Sequence, residues 1–281
     1  MIKTKICIIL IILILIGITI PIGFSNSGHE NVITYGETTY HNQEYKKIVD
    51  DFFRQQANVD INNVESQVVT ASEVNRVSSS ITHNTYDSNQ IFSSAYLDLS
   101  DQGAIKVTTD TKKITVITAQ MYISALKSAG ITHGHVYVTS PVTATGESAL
   151  TGIMHAYEEA TNVNIPENVE QAANDEIYTE AEVVENNNVS ADEISKLVEE
   201  IKNTVITQNI TDHTTIVNLI QNYTVNHNIN LTNSDIEKLA TAIENIQSVQ
   251  GDVESYQSQL DTAINNTSGG SLQSNILNIF N

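Results

Sequence analysis

Residues 114–162, ITVITAQMYISALKSAGITHGHVYVTSPVTATGESALTGIMHAYEEATN, decide the fold. Thr118 is an N-cap type of residue, and Met121, Tyr122, Ala125 and Leu126 follow it at three-to-four spacing, with Gly130 at the far end. That pattern predicts a helix to Ala129 with one face turned to a core. His135–Thr139 (HVYVT) reads as a strand closed by Ser140-Pro141. From Ser148 to Thr161, Leu150, Ile153, Met154, Tyr157 and Ala160 make a second amphipathic stripe, with Glu158 and Glu159 on the other face. Helix, strand, helix in that order predicts an α+β fold, an α/β sandwich with at least one helical layer. It leaves parallel and antiparallel pairing open.

Working outward, Asn31–Tyr35 predicts a strand, Asn42–Gln56 a helix, Val64–Ala71 a strand or a loop leading into a helix, and Ser72–Ser80 a short polar stretch. Ile91–Leu99 and Ala104–Thr109, on either side of Asp101-Gln102-Gly103, read as a β-hairpin. Ile114–Ile117 reads as the start of another short strand. Towards the C-terminus, Pro166 opens a helix to about Tyr178, and Thr179–Asn188 is an acidic, Asn-rich connection. Ser190 and Glu193 form a capping box ahead of Ile194, Leu197, Val198, Ile201 and Val205. Ile216 to Tyr223 is a shorter helix. Ser234 to Glu237 reads as a further capping box for a long helix reaching Ile264, bent at Gly251, before an Asn/Ser/Gly-rich end and an apolar tag at Ile276–Phe280. The division that follows is 1–27 leader or anchor, 28–185 α/β domain, 186–264 acidic helical hairpin or small bundle, and 265–281 flexible tail.

Charge sharpens this division. The 281 residues carry 33 acidic and 13 basic side chains, a net charge of −20. Residues 140–281 hold 21 of the acidic residues and 3 of the basic ones, so the excess belongs to the helical half. Such a surface repels phosphate backbones, which argues against nucleic acid as a partner. A single cysteine, Cys7, excludes an internal disulfide and a thiolate zinc site. It sits inside the run from Ile6 to Ile22, where Gly17, Thr19 and Pro21 alone are not hydrophobic. Two lysines before that run are the signature of an export leader, either cleaved or retained as an anchor. If it is retained, the membrane is a partner, and in both cases the expected place is extracytoplasmic, with a protein or cell-envelope partner.

No catalytic constellation and no cofactor motif stands out. His133 and His135 are the one close histidine pair, and period-two spacing would set both imidazoles on one strand face, but no third and fourth metal ligand accompanies them. The loop of residues 140–151 joins a strand to a helix N-terminus, where Thr145, Gly146, Ser148 and Thr151 are candidates for holding a small anion or ligand. It lacks the GK[ST] of a phosphate-binding loop, and Glu147 opposes an anion. Gly146-Glu147-Ser148-Ala149 lacks the second glycine of a serine-hydrolase elbow. Carboxylate pairs such as Glu158-Glu159 and Glu199-Glu200 read as solvated helix faces.

The Ser93-Ser94-Ala95-Tyr96 strand, the Thr118-x-x-Met121-Tyr122-x-x-Ala125-Leu126 helix with Ala129-Gly130, and Ala149–Ile153 leading to Ala156-Tyr157-Glu158 resemble the exported proteins of domain of unknown function one thousand and two. That family occurs in spore-forming bacteria and some methanogenic archaea. The likeness runs from about Val32 to Val183, extends loosely to Val205, and departs after Asn209. It implies export and a shared fold and supplies no mechanism. The reading is therefore an exported or membrane-tethered binding module without enzymatic activity; the alternative is an extracytoplasmic enzyme or a binder of a small anion or metal using the 140–151 loop.

Overall fold

Strand HVYVT lies inside a sheet whose edges are more polar. A computed structural model describes residues 29–279 except 83, 84, 102 and 188, and the backbone alone at 80, 82 and 267–279; the leader at 1–27 lies outside the described residues. The strands are β1 (Asn31–Gly36), β2 (Glu65–Val69), β3 (Ser94–Asp98), β4 (Lys106–Thr109) and β5 (His135–Thr139), in spatial order β2-β1-β3-β5-β4. The predicted hairpin does not form. β5 inserts between β3 and β4, antiparallel to β3 with Tyr96 opposite Tyr137, and parallel to β4 with Val107 opposite Val136. An interior strand must bury both faces, which HVYVT does with Val136, Val138 and Tyr137. KVTT, whose Lys106 is exposed, suits an edge. Ile114 makes one isolated bridge to Ala144 instead of a strand.

Each sheet face has its own cover. Val32, Ala95, Leu97, Val136 and Val138 face the main core, while Ile33, Tyr35, Tyr96 and Tyr137 meet Val49, Phe53 and Ile61 on the other side. Helix α1 (Glu37–His41) leads into α2 (Gln43–Ala57), which is capped by the Asn42 side chain accepting from the Glu44 and Tyr45 N–H groups. The stretch read as short and polar is α3 (Ala71–Thr82). Its fully buried Val74 and Val77 supply a helical spacing that polar neighbours mask. Helices α4 (Ala119–Ser128) and α5 (Ser148–Thr161) build the main core with the sheet, α5 over β1 and β3 and α4 beside β4. Thr118 caps α4 as expected, and Gly130 ends it with φ +77°.

The remaining helices are α6 (Glu167–Asn186), α7 (Ala191–Thr207), α8 (His213–His227), α9 (Asn233–Ser248) and α10 (Gln250–Ile279). Helix α6 runs through the predicted acidic connection because Ile177, Ala181 and Val183 stay buried along it. The cap of α7 is the predicted Ser190–Glu193 box, whereas α9 is capped by Thr232 with Asp235, two residues before the expected start. The break after α9 falls at Val249, and Gly251 lies within α10. Val198, Ile216, Ile220, Leu239 and Ile243 pack α7, α8 and α9 together. Val253, Tyr256, Leu260 and Ile264 of α10 join the core under the sheet instead. A Cβ on Gly130 would stand 3.1 Å from the Val253 carbonyl oxygen, so α10 closes directly against the end of α4.

One contact inside the bundle depends on pH. His213 of α8 reaches Glu237 through Nε2 at 2.9 Å and Glu244 through Nδ1 at 2.8 Å, and these hydrogen bonds raise its pKa. A raised folded pKa means that the stabilisation is complete below the unfolded imidazole value, about 6.5, and is lost as pH rises through the folded value. His213→Gln is expected to lower the melting temperature at about pH 5.5 and to leave it nearly unchanged at about pH 9. Because the ring is part exposed, the effect is small, below about 1 kcal/mol.

Candidate functional site

The loop between β5 and α5 places Thr145, Gly146 and Ser148 on the wall of a cavity of about 240 Å³, with Tyr86, Phe92 and Glu147 among its other walls. The loop's carbonyls are already engaged: Gly146 accepts from the Tyr122 hydroxyl at 2.5 Å, and Thr145 from the Ile117 N–H at 3.1 Å. Burial pushes the Glu147 carboxyl up, opposed by the Thr145 hydroxyl that donates to it. Among the described residues the wall carries an acid and no cation. Thr151 lies one turn into α5, fully buried and away from this cavity.

The two histidines face different partners. His133 hydrogen-bonds Thr132 and stands 3.6 Å from Asp261 of α10. His135 stacks on Tyr137 with ring centroids 4.2 Å apart and bonds Thr108 through Nε2 at 2.9 Å. Burial first, and Lys106 second, lower its pKa. Gly134 between them has φ +108°, so the strand periodicity that would align the rings does not extend back to His133. Among the described residues no group of three His, Cys, Asp or Glu is placed to hold a metal ion.

A larger cleft, about 450 Å³, opens where the edge strand β2, the first turn of α3 and the end of α5 meet. His155, Glu158, Glu159 and Asn162 follow one another at helical spacing and present one stripe of α5 and its cap to it; β2 adds Gln67 and Val68, and α3 adds Glu73. The Gln67 amide donates to Glu159 at 3.0 Å, the Ile165 N–H donates to Glu158 at 2.8 Å, and His155 Nδ1 stands 3.9 Å from Glu73. Burial raises the Glu158 pKa, against the Ile165 N–H and the charges of His155 and Arg76. Arg76, the nearby cation, is held in a fork by Glu170 at 2.9 and 2.7 Å. Among the described residues the lining thus has three carboxylates, one imidazole and three amide side chains, with no Lys or Arg and no hydroxyl or thiol. The C-terminal end of the α5 dipole adds negative potential. Chemically it accepts hydrogen bonds and positive charge. The pair Glu158-Glu159, read from sequence as a solvated face, is part of this cleft, and what reveals it is the His155 and Asn162 on the same stripe.

A second polar cluster is enclosed. Lys202 Nζ of α7 lies 2.7 Å from Ser124 Oγ, 2.6 Å from Ser128 Oγ and 2.6 Å from Glu176, and both hydroxyls donate to Glu176 at 2.5 Å. Serine beside lysine is a nucleophile and base pairing, but all four side chains are buried, so neither hydroxyl is open to a substrate. The cluster joins α4, α6 and α7. Its signal in the sequence is polar residues at core positions of apolar stripes: Ser124 and Ser128 four apart beside Ala125, and Lys202 between Ile201 and Val205.

The chain matches the model of the family described as "Protein of unknown function (DUF1002)" over residues 35–263. The match therefore continues past Asn209, the expected end of the resemblance, and takes in most of the last helices. The chain is 29% identical over 204 residues, 72% of its own length and 69% of the relative's, to a protein of Bacillus subtilis (strain 168) named "Uncharacterized protein YpuA". No solved structure matches it.

Proposed function

Since the chain belongs to the DUF1002 family of proteins of unknown function, we propose that it is an exported or membrane-tethered binding module without enzymatic activity, which holds a cationic ligand in the cleft between β2, α3 and α5. The observation that carries this reading is the lining of that cleft: Glu73, Glu158 and Glu159 converge there, with no lysine or arginine among the described residues that line it. The charge around it works the same way. Of the three basic residues in 140–281, Lys202 is buried against Glu176 and Lys238 pairs with Glu182, so the helical half offers little positive charge to compete with a ligand. The apolar run behind two lysines at the N-terminus supports export.

Calorimetric titration with tri-lysine at low salt is the test. Binding in the micromolar to millimolar range is expected, weakening by about tenfold on raising salt to 0.5 M and by about fivefold in Glu73→Gln combined with Glu159→Gln. Glutamine at position 73 still accepts the Thr70 N–H that the glutamate now holds, so the cap of α3 survives. Absence of heat in the unsubstituted protein would overturn the reading. N-terminal sequencing of the protein recovered from medium and from membranes tests export: a start near Gly28 means a cleaved leader, an intact Met1 in the membrane fraction an anchor, and recovery from the cytoplasm alone overturns it.

A further inference from the structure

The acidic cleft runs along an open sheet edge. Strand β2 is the outermost in the order β2-β1-β3-β5-β4, and among the described residues it pairs with β1 and with no other strand. Glu65 and Ser66 are exposed, and Gln67 and Val68 are half-buried walls of the cleft. Natural edges are commonly guarded by charged side chains, lysine above all, by proline or by a bulge; β2, with the sequence ESQVV, has one charge, the exposed Glu65 at its start, neither lysine nor proline, and is in register with β1 along all five residues. Its outward N–H and C=O groups and the carboxylates of α5 and α3 therefore lie side by side.

We infer that the occupant of the cleft is an extended peptide segment bearing lysine or arginine, which adds to β2 as a further strand. This rests on the cationic-ligand reading above and names the ligand's class. Main-chain hydrogen bonds to the β2 edge supply affinity, and pockets for alternate side chains supply selectivity. Gln67, bonded to Glu159, and Val69, packed beside Gly152, set the side of β2 that faces α5. On an added strand the side chains directed to that side are every second residue, about 7 Å apart. Basic residues at alternating positions lie on the side of the cleft that Glu73, Glu158 and Glu159 line, while the intervening positions face away from α5.

The experiment uses a fluorescent acetylated heptapeptide of alternating lysine and threonine, KTKTKTK amide, with the full-length protein, read by anisotropy, and the same peptide with every backbone nitrogen methylated. The methylated peptide keeps its charge and loses its backbone donors. Strand addition predicts at least about tenfold weaker binding of the methylated form, about tenfold weaker binding of the parent peptide to Glu73→Gln/Glu159→Gln, and slowed hydrogen exchange within residues 65–69 on saturation. Equal binding of the two peptides, or unchanged exchange in 65–69, overturns strand addition and leaves the cleft as a site for small cations. If neither these peptides nor tri-lysine binds, both readings fall.

Discussion

Lys202→Met is expected to cost about 3–5 kcal/mol of folding stability in urea unfolding, because it leaves the Glu176 carboxylate buried without its counter-charge. Glu176 is 1% exposed, and in the native protein Lys202, Ser124 and Ser128 satisfy it completely. Removing both charges together should recover most of the loss. The combination Lys202→Met with Glu176→Leu, Ser124→Ala and Ser128→Ala replaces the network by apolar groups of similar volume, which is commonly neutral or stabilising. A large loss in both variants would mean that helix packing, and not an orphaned charge, sets the cost. Glu180, one turn along α6, shows the same physics without a hydrogen bond among the described residues. Both its carboxyl oxygens are buried with no hydrogen bond among the described residues, and burial, helped by the charge of Glu176 and opposed by that of Lys202, raises its pKa. Its contribution to stability is greatest below about pH 4.3 and declines as pH rises above that unfolded value.

Leu260→Ala in α10 is the second large effect, expected at about 2–5 kcal/mol. Leu260 is fully buried in the same core as Tyr157, Ala129 and Ile131, although it lies more than 95 residues from each of them in the chain. A chain ending at Ser248 loses Val249, Val253, Tyr256, Leu260 and Ile264 from that core at once, and should expose Tyr157 and Met154 and aggregate. If the acidic helices were an independent appendage, the same truncation would leave the sheet's unfolding transition unchanged. Circular dichroism melts of the two variants beside the full chain distinguish these outcomes.

The elements of this protein are written locally, and much of the fold was legible for that reason. The Thr118 and Ser190 caps, the stripes of α4, α5 and α7, and strands β1 and β5 all follow from neighbours within four residues of one another. Misreadings arose where a local signal had competitors. Asp101-Gln102-Gly103 looks like a hairpin turn, but β3 and β4 each find a better partner in β5, 26 or more residues away in the chain. Thr179–Asn188 looks like a linker by composition, yet α6 continues to Asn186 because the main core takes its Ala181 and the bundle core its Val183.

Of the candidate site, residues alone placed Thr145, Gly146 and Ser148 on one loop, and separated neither Glu158-Glu159 from a bland helix face nor β2 from an interior strand. What the sequence by itself determined is the secondary structure and apolar face of the segments with a clear period, such as α4, α5, α7 and β5, and the concentration of negative charge in 140–281, all properties of spacing and composition. Only the tertiary structure decided strand order, the closure of α10 under the sheet, the pairing of Lys202 with Glu176, and the meeting of Glu73 with Glu159 beside an open edge. Those are contacts between residues far apart in the chain, settled by which surfaces bury the most apolar area and satisfy the most polar groups at once, and no local pattern encodes that competition.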